Sequence, residues 1–214
     1  MFVKKISNNI YLIKFRTRYE LTSTLLRFQE YYESPKFKGQ IFTLKEFKKW
    51  YTKNSPKGKK TGKFTYYKDW SGFNIPSHIL TPFYNGLFNP LTDAEKNVLK
   101  AFSKIKRKKF YIIGVYNDLD KIILKHEIAH GMYYANSAYR RAVNKILKKA
   151  DRVAVRQIYS YFKKYAGYHK DVFADETHAY ILSELSFLKK RGVDVKRITD
   201  VNKQLNVVFD KFSK

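Results

Sequence analysis

Apolar positions along this chain fall into two periods, and the change from one to the other outlines the fold. Residues 9–15 alternate as a strand does, and Leu21, Leu25, Phe28 and Tyr32 then mark one face of a helix over 20–32. Pro35 and Gly39 end it. Thr43 and Glu46 form a capping-box pair that opens a short helix through Trp50 and Tyr51. Residues 53–63 are polar and broken by Pro56, Gly58 and Gly62, which predicts a flexible loop. Residues 64–91 are aromatic but carry Pro76, Pro82 and Pro90, so they cannot form one long helix. The expectation is an ordered, winding segment packed on the body, suited to walling a substrate cleft.

A second capping box, Thr92 with Glu95, starts a helix to about residue 109 with Val98, Leu99, Phe102 and Ile105 inward. Residues 110–116 are β-branched and aromatic and read as a strand. A helix follows through Tyr134, with Leu119, Ile122, Ile123, His126, His130 and Tyr133 at helical spacing. Asp118 is its expected N-cap, with Asp120 in the first turn. Further helices are expected near 137–149, 151–165, 170–190 and 199–212, divided around Asp151, Gly167 and Gly192. The class is therefore α+β and predominantly α. A mixed region spans 1–91 and a helical one 92–214, expected together as one compact unit.

Composition narrows the function. The chain has 214 residues, 44% of them apolar and 17% aromatic, which is enough for a real core. No cysteine is present, so disulfides, zinc ribbons and thiol catalysis are excluded, and a reducing, cytoplasmic setting is expected. The two early lysines are not followed by a signal-peptide apolar run, and no stretch approaches transmembrane length, so no membrane role is expected. The formal charge of +26 points to an anionic partner, either nucleic acid or an acidic protein. Lysine is spread along the whole chain, however, with clusters at 57–63 and 104–109, and a Lys-rich coding bias would look the same.

Chemistry concentrates in His126-Glu127-Ile128-Ala129-His130. On a helix, residues four apart share a face, so the two imidazoles can address one metal ion. Glu127 lies about 100° round the helix, placed to reach a water rather than the ion. Three ligands and an open position are needed for a catalytic zinc site, so a third donor must come from elsewhere. The segment from Asp171 to Glu184 is the only later one that concentrates acidic, imidazole and phenol groups on an apolar helix.

The pattern resembles the zincin metallopeptidases. The metzincin branch would need Gly at position 133 and His at 136, where this chain has Tyr133 and Asn136. A thermolysin-like spacing would put Glu near position 150, where Ala150 stands. The 171–184 segment is similar to the second-helix motif of gluzincin-type enzymes, and Glu176 best matches the glutamate that completes their His-His-Glu site. His178, Asp175, Asp171 and Asp151 remain rivals, Asp175 also as a group that fixes an imidazole tautomer. Tyr180, one turn beyond Glu176, is placed to bond an oxyanion or a ligand. His78 and His169 are expected to be structural and loop residues.

The resemblance covers about 80 residues and implies a zincin-like core, an edge strand before the motif helix, Zn2+ as cofactor and a peptide or protein substrate. Pairing with that edge strand would hold an extended peptide. Glu127 would serve as general base. The alternative is a non-catalytic scaffold of the same shape that binds nucleic acid or nucleoprotein through its basic surface.

Overall fold

The computed structural model describes residues 1–34, 36–118, 120–163 and 172–213. Pro35, Leu119, Gly167, His169 and Asp171, each of which carries an expectation above, lie outside the described residues. The architecture is α+β and predominantly α, and the chain forms two compact units. One comprises Met1–Ile6 with Tyr11–Asp118, the other Ser7–Ile10 with Leu119–Lys214. The division falls between Asp118 and Leu119, not at 91/92 within a single compact unit. The reason is that the strand over 111–115 completes the first unit's sheet.

That unit contains β1 (Phe2–Ser7), β2 (Ile10–Lys14), α1 (Arg18–Glu33), α2 (Leu44–Asn54), α3 (Pro56–Thr61), β3 (Gly72–Pro76), α4 (Thr81–Tyr84), α5 (Asp93–Phe102) and β4 (Tyr111–Val115). Ser7 and Ile10, at the hairpin between β1 and β2, group with the second unit. The sheet order is β1-β2-β4-β3, and β3 runs antiparallel to β4 with Gly72 opposite Val115 and Pro76 opposite Tyr111. β4 is thus an interior strand with all five residues buried, contrary to the expected edge strand, and offers no free edge to a peptide. Its uninterrupted apolar run is what a strand covered on both faces requires. Gly114 permits this close packing, since a Cβ there would lie 2.4 Å from Leu25 Cδ1 on α1.

The winding aromatic segment supplies β3 and much of the unit's core. Phe83 and Phe88 stack at 3.9 Å, and Phe73, Ile75, Ile79 and Leu80 are buried. Both capping boxes form as the sequence indicates. Residues 53–63 differ from expectation, because Ser55 caps α3, Pro56 opens it and Gly62 ends it at φ +66°. Proline at the first helical position and glycine just past the last are start and stop signals here, not loop markers. A Cβ at Gly58 would come within 2.2 Å of the Tyr51 carbonyl oxygen, so α3 lies directly against α2.

One buried ion pair ties the first unit together. Arg27 on α1 donates to Glu95 on α5 through Nε at 2.7 Å and Nη2 at 2.5 Å. It also donates to the carbonyls of Phe88 and Pro90 at 2.9 and 3.2 Å. Glu95 meanwhile accepts from the Thr92 backbone N–H. Both side chains are nearly inaccessible, at 7% and 2% exposure. Removing one partner strands the other charge in the interior, so Arg27→Met and Glu95→Gln should each destabilise the protein by about 3–5 kcal/mol. Chemical denaturation measures this, and a cost below about 1 kcal/mol in both variants would show the pair to be incidental.

The second unit is helical, with α6 (Lys121–Ala135), α7 (Ser137–Leu147), α8 (Arg152–Tyr161), α9 (Phe173–Ser183), α10 (Leu185–Lys190) and α11 (Thr199–Phe212). The expected helix over 170–190 is broken at Glu184, whose φ −126° and ψ 39° separate α9 from α10. α9 packs against each of the other helices described in this unit. The buried side chains of these neighbouring helices include Ala129, Met132, Tyr139, Val143, Ile158 and Leu205, all 1% exposed or less. No described helix is long and apolar enough to cross a membrane.

Candidate metal centre

Local sequence signals fix α6, which carries the two histidines. Asp120 is its N-cap and accepts from the Ile122 N–H at 2.7 Å. Asp118, the expected cap, pairs instead with Lys14 at 2.5 Å. At the far end Asn136 closes α6 and caps α7, accepting from the Ala138 and Tyr139 N–H groups at 3.0 Å each. Arg140 donates to the Tyr133 carbonyl at 2.9 Å, where a cation suits the helix C-terminus.

One turn apart, His126 and His130 are 7% and 8% exposed. Their Nε2 atoms face each other at 2.9 Å, a hydrogen bond that needs one proton between them. Glu176 on α9 brings Oε2 to 3.8 Å from His130 Nε2. One ligand atom from each of His126, His130 and Glu176 lies within 4.8 Å of the others. Two nitrogens on one tetrahedral zinc would be about 3.3 Å apart, so the pair needs only a few tenths of an ångström of adjustment.

The outer nitrogens are also engaged. His130 Nδ1 lies 2.9 Å from Asp175 Oδ1, and His126 Nδ1 lies 2.7 Å from Glu184 Oε1. Neither contact has the alignment of a full hydrogen bond, but each sets a carboxylate oxygen against the outer ring nitrogen. A carboxylate behind Nδ1 leaves Nε2 as the donor toward a metal, the arrangement common to metal-binding histidines. Glu176 Oε2 is buried with no hydrogen-bond partner among the described residues. Such an atom is costly unless a proton or an ion satisfies it. The donor set, the orphaned oxygen and the two oriented imidazoles therefore fit a divalent cation.

Protonation follows from this crowding. Burial alone would lower the His130 pKa, but Asp175, Glu176 and Glu127 outweigh it and raise the imidazole to about 10. Burial raises the Glu176 carboxyl, opposed by His130 and His126 and reinforced by Asp175 and Glu127. The surrounding acids thus favour positive charge on His130.

Each rival position has a definite place. His178 is fully buried, stacks on Tyr133 at 4.9 Å and lies outside the ligand cluster. Burial lowers its pKa to about 4 and keeps it neutral; its Nδ1 is 3.4 Å from Asp175 Oδ1. Asp151 caps α8 and faces Arg197 at 3.4 Å. His78 sits exposed in the first unit, edge-on to Tyr32. Glu127 is half-buried beside His126, and Tyr180 stands edge-on to the His126 ring at 4.9 Å while stacking on Phe187.

Glu184 is the residue that the sequence reading did not assign. It was legible in principle, because Glu176, Tyr180 and Glu184 are spaced four apart and so fall along one helical face. The chain matches no protein-family model, and neither curated proteins nor solved structures provide a match.

If the cluster takes a divalent ion and Asp175 and Glu184 orient the imidazoles, Asp175→Asn and Glu184→Gln should each weaken the affinity for added zinc about 10–100-fold while leaving the fold intact. Competition with a chromophoric chelator measures the affinity and circular dichroism the fold. Unchanged affinity in both variants would assign those carboxylates to packing alone.

Proposed function

We propose that this protein is a zinc-dependent peptidase in which His126, His130 and Glu176 hold the ion. The observation that supports this most strongly is the convergence of three buried ligand atoms from α6 and α9 within 4.8 Å, with Glu127 next to the first of them in sequence. When bound, zinc would polarise a scissile carbonyl and acidify water at the open position. Glu127 has the chemistry to take a proton from the attacking water and pass it to the leaving amine. Tyr180, beside His126, is placed to donate to the developing oxyanion. Asp175 and Glu184 hold the imidazoles in register and take no part in bond making. With no cysteine to protect or pair, we place the protein in the cytoplasm.

A second reading draws on the formal charge of +26, namely a scaffold of the same architecture that binds nucleic acid or an acidic protein and does no chemistry. Metal content separates the two. The peptidase reading expects one zinc per chain, lost in Glu176→Ala and retained in His178→Ala, since His178 lies outside the cluster. Glu127→Gln should keep the zinc and lose hydrolysis of a denatured protein substrate by roughly 100–10,000-fold. A zinc-loaded wild type that cleaves no peptide, or a Glu127→Gln variant that cleaves normally, would overturn the mechanism.

A further inference from the structure

The first unit has a cleft that the metal-site chemistry does not use. It has a volume of about 520 Å³, and Arg18, Tyr19, Phe64, Tyr67 and Lys68 are among its walls. That volume falls in the range of small-ligand sites, roughly 300–1,000 Å³. Two kinds of group line it together. Tyr19 and Tyr67 meet edge to face at 5.0 Å, and Phe64 meets Tyr67 in the same way at 5.0 Å. Tyr19 is nonetheless 63% exposed, so most of its side chain remains accessible from solvent.

The cations around these rings are not neutralised. Arg18 is held by Tyr116 Oη at 2.5 and 3.1 Å and by the Lys68 carbonyl at 2.9 Å, none of them charged acceptors. These bonds use three of the five guanidinium N–H groups and leave two. Among the described residues neither Arg18 nor Lys68 forms a salt bridge. Lys48 adds its ammonium over the Phe64 and Tyr67 rings at 5.4 and 5.7 Å. The nearby acids are already engaged. Asp69 accepts from Lys57 at 2.6 Å and from Tyr51, and Glu20 accepts from the Arg16 N–H at 2.9 Å and contacts the N-terminal amine.

An exposed tyrosine, a fixed guanidinium and the Lys68 ammonium in one cleft, with Lys48 over two of its rings, match a flat aromatic group joined to an anion. We infer that this cleft binds single-stranded nucleic acid, a base stacking on Tyr19 while Arg18 and Lys68 meet the adjoining phosphates. Stacking platforms flanked by cations are the usual means of holding unpaired strands, and duplex bases cannot reach such a ring. The inference concerns the first unit alone and does not depend on the metal site.

A chain this basic will attract any polyanion, so affinity alone decides nothing; dependence on the ring does. Fluorescence anisotropy with a labelled oligothymidylate of about 20 nucleotides, and with a duplex of the same length, provides the test on the full chain. At equal salt the single strand should bind more tightly than the duplex. Tyr19→Ala should weaken the single strand about 5–150-fold and leave the duplex unchanged, while Tyr19→Phe should bind as wild type does. Lys68→Gln should reduce the salt slope for the single strand by about 0.7. Because Tyr19 is largely exposed, these substitutions spare the core, and circular dichroism checks that they do. Equal affinity for duplex and single strand, or an unaltered single-strand affinity in Tyr19→Ala, would overturn the inference. So would thymidine monophosphate competing as tightly as the oligomer.

Discussion

The candidate site depends on a constraint applied from behind. Two imidazoles four residues apart on a helix share a face, but they can still turn about their side-chain bonds. Asp175 and Glu184, both following from α9, face the Nδ1 atoms and leave the two Nε2 atoms opposed. Glu176, next to Asp175, then closes the third side. α9 and the residue that caps its C-terminus therefore supply a ligand candidate and the groups that face the other two from behind. The protein is strongly basic, yet α9 contains no lysine or arginine. Negative charge is gathered where a cation would sit and is sparse elsewhere.

The first unit solves a different problem with similar means. Its sheet has only short strands, and α1 covers the interior strand so closely that Gly114 is required. Aromatic side chains fill the remaining volume. The bidentate pair between Arg27 and Glu95 fixes α1 to α5 and to the loop through Phe88 and Pro90. Burial of that charge is tolerable only because every guanidinium bond ends on an oxygen of good geometry.

What was legible in the sequence depended on how local its cause was. Thr43 with Glu46 and Thr92 with Glu95 are contained within four residues, and both capping boxes formed. The preference for Glu176 over His178 rested on the resemblance to the gluzincin second-helix motif, and the structure brings Glu176, not His178, to the histidine pair. The failures had other causes. β4 as an interior strand depends on pairing with β2 and β3, a long-range fact that five apolar residues in a row only suggest. The helix within residues 53–63 is hard to see in the sequence because proline and glycine mark helix ends as readily as loops. Arg27 and Glu95 are 68 residues apart, and nothing near either one announces the other.

No residue of α9 is exposed, from Phe173 to Ser183. Most surface helices keep a solvated stripe where substitutions cost little. Here eleven consecutive positions lack one: six are buried, and Ala174, Asp175, Glu176, Tyr180 and Ser183 are partly buried. The stretch of gene that encodes α9 consequently has almost no neutral ground, and improvements to the protein's solubility or robustness will have to be sought elsewhere in the chain.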